Sequence, residues 1–454
     1  MSKNYQIDMT EGSIVKKLLQ FSVPLIFSSL LQLLFNAADV IVVGRFAGDN
    51  SLAAVGSTSS LVNLLVNLFV GLSIGTTVVA ANFFGAGKKQ ELKDTVHTAM
   101  LLSIISGIIL TLIGVVGAKQ ILKLMQSPKE VLELATLYLQ IYFSGITATM
   151  IYNFGSAILR AKGDTKRPLY FLFFAGIINV ILNLIFVIFF KMDVAGVALA
   201  TVISQCISAF LVVRCLIKES EEFKLDIKKL KINVPILIRI IKIGVPAGLQ
   251  GIIFSLSNVI IQSSINSFGA ITIAGNSAAS NIEGFIFTAM NGFSQGTLTF
   301  ISQNFGAKKY DRINKTIFVA QICVFLSGFI FGNLSVIFGK QLLSLYTQNS
   351  DVIASGMERL KIICTTYALC GMMDVMGNSI RGIGHSVLPM IVTLLGACGI
   401  RILWISTIFL IPRFHTCNVI FISYPISWGV TFLVHLICYF ILKKKVFLSS
   451  MNYI

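Results

Sequence analysis

Hydrophobic residues follow one another along this chain in long blocks rather than in short alternating runs. Blocks of roughly 20 residues or more match the length that an α-helix needs to cross about 30 Å of hydrocarbon. A soluble α/β protein would instead show apolar runs of about 4–8 residues between turns. The pattern therefore predicts twelve membrane-spanning helices, at about 17–42, 52–84, 94–118, 131–158, 168–190, 194–217, 235–267, 272–305, 314–338, 352–380, 388–411 and 418–442.

The composition favours the same fold class, an all-α integral membrane protein. Hydrophobic residues make up 55% of the 454 residues and charged residues only 12%, whereas soluble chains average about 25% charged residues. The polar N-terminus predicts no cleavable signal peptide. The eight cysteines are scattered without a CxxC pair, and most fall within apolar blocks, which favours a packing role over a metal or disulfide framework.

The net charge of +17 is distributed unevenly between the two sides of the predicted bundle. One side has 26 Lys and Arg residues, from the N-terminus, alternate loops and the tail, and the opposite side has nine, with Arg359 and Lys361 counted among them. Arg401 alone is counted on neither side, because it falls inside a span. The positive-inside rule predicts cytoplasmic termini and an even number of spans. We therefore expect a bacterial-type inner-membrane protein that does not bind nucleic acid.

The second half of the chain repeats the first. The segment GLSIGTTVVAANFFGAGKK from Gly71 matches GFSQGTLTFISQNFGAKK from Gly292, and ILRAKGDTKRP is echoed by IRGIGHSVLP, both at an offset of 221 residues. Val23-Pro24 and Asn36 recur at Val245-Pro246 and Asn258, at an offset of 222. Six spans separate the copies, so both have the same orientation.

The repeat predicts two pseudo-symmetric lobes of six helices, 1–222 with spans 1–6 and 223–454 with spans 7–12. Two similar lobes with a cleft between them suit alternating access, in which the lobes rock about a central site. The alternative is that duplication simply builds a large bundle.

Asp39 is the main candidate for a functional residue, because a carboxylate within a span is costly and is a default candidate for function. Gln32, Asn36 and Asp39 follow one helix face. Polar residues of three further spans are predicted to join Asp39: Asn153, Asn179, Asn183 and Thr201, with Gln205 and Ser208 on the face of Thr201. Such a set suits Na⁺, and a desolvated acid could also carry a proton. The alternative is interhelical hydrogen bonding.

The second half has no acid at the repeat position of Asp39, which is Ile261. Its polar residues within spans form a possible second site, in which Asp374 and Arg401 could form an ion pair that is either structural or a switch. The members of this possible site are Asn258, Gln262, Glu283, Asp374 and Arg401. Phe and Met side chains of the spans are candidates for an adaptable apolar wall or for lipid-facing packing.

No catalytic constellation is visible in the sequence. The four histidines are isolated, and HExxH and GxxxxGK[ST] motifs are absent. We therefore expect neither an enzyme nor a bound cofactor, apart from a transported Na⁺ or H⁺.

Along nearly its whole length, the chain resembles the multidrug and toxic compound extrusion (MATE) transporters. The resemblance depends on Pro24 and Asp39 of span 1, NFFGAGKK with its echo QNFGAKK, and ILRAKGDTKRP with its echo. It implies twelve helices in two lobes and export of organic cations against Na⁺ or H⁺. Asp39 corresponds to the essential acid of the family's first span, Asn179 and Asn183 to its span-5 polar pair, and Asn153 to a span-4 position. Some branches have an acid in span 7, where this chain has Asn258 and Gln262.

The function expected is secondary active multidrug efflux by a monomer that exchanges Na⁺ or H⁺ for drug-like molecules. One alternative is a flippase for lipid-linked or amphiphilic substrates, which would require a basic central cavity. Another is a receptor or an intramembrane enzyme, which would require a soluble domain or a catalytic pair.

Overall fold

The computed structural model describes residues 5–125 and 128–451. Lys3, one of the basic residues counted at the N-terminus, lies outside the described residues. All regular structure in the described part is helical. Its α-helices are α1 Ile14–Phe46, α2 Asp49–Gly85, α3 Lys89–Leu124, α4 Lys129–Ser144, α5 Ile146–Ala161, α6 Lys166–Leu184, α7 Asp193–Ile217, α8 Val234–Asn266, α9 Ala270–Gly306, α10 Tyr310–Ile337, α11 Gly339–Ser344, α12 Ser350–Thr366, α13 Ala368–Gly382, α14 Val387–Thr393, α15 Ile400–Ser406 and α16 Cys417–Met451.

The predicted membrane fold is confirmed, and the spans correspond to these helices. Within the described residues, nine helical segments are long and apolar enough to cross a membrane, and two bent helix pairs raise the number to eleven. The twelfth predicted span, α9, has 37 residues but is less hydropathic, since it contains polar residues such as Asn276 and Glu283. Five-residue and six-residue π-helical stretches, Ile185–Phe189 and Leu394–Gly399, extend α6 and join α14 to α15.

Spans 4 and 10 are broken, which the sequence does not predict. Helices α4 and α5 meet at Gly145, and α12 and α13 meet at Tyr367; each pair is bent by 46°. The two breaks lie 222 residues apart, so the repeat extends to the shape of these spans. The loops after the breaks repeat as well, because Gly163 and Gly384 adopt φ values of 96° and 93°, a region in which L side chains are strained.

The chain forms two compact units. Unit 1 comprises Met1–Asp8 and Phe27–Gly248, and unit 2 comprises Met9–Ile26 and Leu249–Ile454. The first part of α1 therefore belongs to unit 2, and the first part of α8 belongs to unit 1. The lobes 1–222 and 223–454 are defined by the repeat rather than by compactness, and they stay a prediction.

Close backbone packing attaches these exchanged segments. In unit 1, a Cβ atom added at Gly71 would lie 2.4 Å from the nitrogen of Gly248, and one at Gly75 would lie 2.4 Å from the oxygen of Ile240. In unit 2, the repeat partners Gly292 and Gly296 lie against Ile26 and Ser22 of α1. Glycines let helix backbones approach closely in membranes, and these four occur at contacts that need them.

Candidate functional site

Asp39 lies within a hydrogen-bonded cluster of unit 1. The amide nitrogen of Asn183 donates to Oδ1 of Asp39, and the Thr201 hydroxyl donates to Oδ2 at 3.5 Å. Asn183 also donates to Oδ1 of Asn179 at 3.3 Å, and Asn179 donates to the hydroxyl of Thr201 at 3.4 Å. We call Asp39, Asn179, Asn183 and Thr201 the aspartate cluster.

Three helices position the aspartate cluster. Asn179 and Asn183 are one turn apart on α6, and both are buried. Thr201 lies on α7, which packs against α6. Asp39 is half-buried on α1. The i, i+4 spacing of the asparagines therefore places both amides on one face of α6, where Asn183 donates to Asp39 and Asn179 donates to Thr201.

One oxygen of the cluster has no hydrogen-bond partner. Oδ1 of Asn183 is buried and accepts no hydrogen bond from any group in the described residues. A buried polar atom left unpaired costs about 1–3 kcal/mol. This oxygen, the carboxylate of Asp39 and the hydroxyl of Thr201 are hard oxygen ligands of the kind that Na⁺ takes. A protonated carboxyl group could also use an amide oxygen as its acceptor.

The other two residues predicted for this site occupy different settings. Asn36 lies on α1 with an exposed side chain, and Asn153 lies on α5 with a half-buried one. Gln205 accepts a hydrogen bond from Ser208 at 3.4 Å on α7. The structure thus brings four of the six predicted residues into one hydrogen-bonded group.

In unit 2, Glu283 is paired with Arg359, a residue that the sequence analysis counted outside the spans. Arg359 is 6% exposed, and its Nε and Nη2 atoms donate to the two carboxylate oxygens of Glu283, both at 2.7 Å. Its Nη1 donates to Oδ1 of Asn276 at 2.6 Å, and Asn276 donates to Gln262 at 2.8 Å. The assignment of Arg359 to a flank was wrong, because the arginine is neutralised inside the helix bundle.

Arg401 is buried, but its predicted partner is not beside it. Among the described ion pairs, none joins Arg401 to Asp374. Nε of Arg401 donates to the Ser427 hydroxyl at 2.8 Å, and the guanidinium lies 4.1 Å from the ring centre of Tyr424. The expected ion pair was therefore wrong.

Asn258, Gln262, Glu283, Arg359 and Arg401 line one cavity of about 350 Å³, and Asp374 is not among its lining residues. Arg359, Asn276 and Tyr424 were not among the site residues predicted from the sequence. Glu283, an acid within a span, was a signal that a basic partner should lie nearby. Arg359 was not recognised as that partner because it stands among exposed charged residues in the sequence.

Comparisons with known proteins find relatives along the whole chain. The MatE family model matches residues 24–185 and 246–405. Probable multidrug resistance protein YoeA of Bacillus subtilis is 26% identical over 96% of both chains.

Solved structures share the fold. A crystal structure of MATE in the bent conformation has a TM-score of 0.89 and 20% identity over 97% of this chain and 98% of its own. Another similar structure is that of a MOP superfamily transporter from Pyrococcus furiosus, which is described as having a binding pocket of reverse polarity. Its TM-score is 0.88, and it is 22% identical over 96% of this chain and 97% of its own.

Proposed function

The chain belongs to the MatE family of membrane transporters, and from this premise we propose that it exports drug-like organic compounds in exchange for Na⁺ or H⁺. The family model matches both copies of the repeat, and the relative YoeA is named as a probable multidrug resistance protein. The transporter is proposed to act as a monomer in a bacterial-type inner membrane. The excess of Lys and Arg in alternate loops supports cytoplasmic termini.

The aspartate cluster supports cation coupling at Asp39. Its carboxylate accepts hydrogen bonds only from neutral donors, Asn183 and Thr201. Among the described contacts it forms no ion pair with a basic residue. A negative charge without a fixed counterion, within a membrane-spanning helix, favours a cation that comes and goes. The unpaired oxygen of Asn183 adds a ligand for that cation.

Exchange requires that the cation and the drug prefer different states of the transporter. A ligand shifts a conformational equilibrium only by the difference between its affinities for the two states. In this proposal, binding of a cation at Asp39 favours the state that releases the drug. Loss of the cation to the cytoplasm then returns the transporter to the drug-accepting state.

The deciding experiment measures ethidium transport in proteoliposomes under a sodium gradient, a proton gradient or neither. Wild-type protein should transport ethidium under at least one gradient, and that gradient identifies the ion. Asp39→Asn should abolish the gradient-dependent part, whereas Glu133→Gln, at an exposed acid, should leave it intact. Full gradient-driven transport by Asp39→Asn would contradict the proposal.

A flippase for amphiphilic lipids is the second candidate. A flippase would require a basic central cavity, and Arg401 is the only basic residue that the sequence places deep in a span. Arg359 lines the same cavity, but Glu283 neutralises it, so Arg401 is the basic group left there without a counterion. The neighbour from Pyrococcus furiosus shows that a similar fold occurs with a pocket described as reversed in polarity. Movement of a fluorescent anionic lipid between leaflets of the same proteoliposomes, without ethidium transport, would favour the flippase.

A further inference from the structure

The cavity of unit 2 is lined by both charged and aromatic side chains. It occupies about 350 Å³, and its lining includes Phe254, Tyr424 and Trp428 together with Glu283, Arg359 and Arg401. A volume of this size accommodates a small organic molecule. The chemistry of such a molecule depends on which of the three charged groups is available to it.

Glu283 and Arg359 are already used by each other. Both oxygens of Glu283 accept hydrogen bonds from Arg359, and the third available nitrogen of Arg359 donates to Asn276. Their side chains are each only 7% exposed. The pair therefore contributes no net charge to the cavity.

Arg401 is left as the unneutralised charge among these three groups. It is 1% exposed, and Nε donates to the neutral hydroxyl of Ser427. The Nη2 atom is buried and has no hydrogen-bond partner in the described residues. No carboxylate of the described part forms an ion pair with it, so the formal charges of Glu283, Arg359 and Arg401 sum to +1.

The aromatic rings around Arg401 compensate for burial only in part. The guanidinium carbon lies 4.1 Å from the ring centre of Tyr424, 5.4 Å from that of Trp428 and 5.5 Å from that of Phe254. Cation–π contacts return less free energy than a guanidinium loses when it is removed from water. An anionic ligand would supply both the missing charge and an acceptor for Nη2.

We propose that Arg401 binds the anionic group of an amphiphilic aromatic or apolar ligand, a carboxylate or a phosphate, whose body packs against Tyr424 and Trp428. The unit 2 cavity is then an anion subsite, which extends the cargo to organic acids and zwitterions. Only the direction of transport rests on the proposed export function; binding at Arg401 does not. Asp39 belongs to unit 1, so binding should persist when cation coupling is lost.

The first test is equilibrium binding of radiolabelled 2-naphthoate to the full-length protein in detergent, with its methyl ester as the uncharged probe of the same shape. Wild-type protein should bind the acid at least tenfold more tightly than the ester. Arg401→Gln should remove this preference, Arg401→Lys should retain part of it, and Arg413→Gln, at an exposed arginine, should leave it unchanged. Asp39→Asn should bind naphthoate like the wild type, so failure of the coupling proposal leaves this result intact.

Lysophosphatidate as a competitor distinguishes the source of the anion. If it displaces naphthoate from the wild type, and more weakly from Arg401→Lys, the subsite accepts a lipid phosphate; if it does not displace naphthoate from the wild type, the subsite selects soluble organic acids. Equal binding of acid and ester by the wild type would overturn the proposal. So would an unchanged preference in Arg401→Gln. The comparison of acid and ester in the wild type remains decisive if that variant does not fold.

Discussion

Arg359 and Glu283 form a bidentate ion pair inside unit 2, with Nε and Nη2 of the arginine each 2.7 Å from a carboxylate oxygen. Two parallel hydrogen bonds fix the planes of both groups. Asn276 occupies the remaining edge of the guanidinium at 2.6 Å. The acid that the sequence placed in a possible second site is thus held by a fixed cation, which distinguishes it from Asp39.

Removal of one member of this pair should destabilise the protein strongly. Glu283→Gln leaves the buried charge of Arg359 without its counterion, and we expect a loss of about 3–5 kcal/mol in the free energy of unfolding. Thermal unfolding in detergent measures the change. Glu358→Gln, which removes an exposed acid next to Arg359 in the sequence, should have little effect. Equal stability of Glu283→Gln and wild type would contradict the structural role.

Asn183→Ala should weaken the coupling cation without abolishing transport. The variant removes the donor to Asp39 and the unpaired Oδ1 atom together. If that oxygen binds the cation, its loss costs about 1.4 kcal/mol or more, and the cation concentration for half-maximal ethidium transport should rise about tenfold.

The matched control for this prediction is Asn333→Ala. Asn333 bonds only to the carbonyl of Phe329 on its own helix among the described contacts, so its removal should leave the half-maximal cation concentration unchanged. An Asn183→Ala variant with the wild-type cation dependence would show that the asparagine only joins helices.

Two glycines of α2 should respond to alanine with opposite signs. At Gly75 the added Cβ atom would lie 2.4 Å from the backbone oxygen of Ile240, and we expect a loss of about 1–3 kcal/mol from overpacking. At Gly56 no described atom beyond the helix's own nearby backbone lies within 4 Å of the added Cβ atom, so alanine should stabilise the helix by up to about 1 kcal/mol. Thermal unfolding of both variants tests the close packing of α2 against α8. A melting temperature of Gly75→Ala equal to or above that of Gly56→Ala would be inconsistent with it.

Glu219, in the connection after α7, should make stability depend on pH. Burial raises its pKa, but the hydrogen bond from Lys162 at 2.5 Å and the charge of Arg167 outweigh burial, so the pKa is lowered overall. A lowered pKa means that Glu219 stabilises the folded state above its unfolded pKa of about 4.5, and that this contribution disappears as the pH falls through the lower folded value.

Glu219→Gln should therefore lower the melting temperature at pH 7, by an amount equivalent to about 3 kcal/mol, and the difference from wild type should shrink as the pH is lowered below about 4.5. Burial raises the pKa of the neighbouring Asp164, but both proteins contain that group. The control is Glu221→Gln, at an exposed acid of the same connection. Its melting temperature should match that of the wild type both at pH 7 and below pH 4.5. A difference that stays constant with pH would exclude the charge of Glu219 as its cause.

The spans were predictable because hydrophobic blocks must match the thickness of the bilayer, and the repeat was visible in Gly, Pro and Arg positions. The breaks at Gly145 and Tyr367 were not predictable. One break falls at a glycine and the other at a tyrosine, and the hydrophobic pattern continues through both. The bends depend on tertiary packing, since a Cβ atom at Gly145 would lie 2.5 Å from the side chain of Val202.

Most of the aspartate cluster was predictable, because an acid in a span is costly and the asparagines have helical spacing. Arg359 was not predicted, since α12 also has exposed charged residues and linear counting cannot tell an inward arginine from an outward one. Asn36 stays a prediction for this site. It shares α1 with Asp39, but its side chain is exposed and lies outside the hydrogen-bonded group.

The exchange of half-helices between the units has a consequence for synthesis on the ribosome. Unit 1 includes the segment of α8 that ends at Gly248, but the six spans of the first copy end at Ile217. When those six spans have been inserted, the surface around Gly71 and Gly75 still lacks its partner backbone. We therefore expect that neither copy of the repeat, synthesised alone, can complete the compact unit to which most of it belongs.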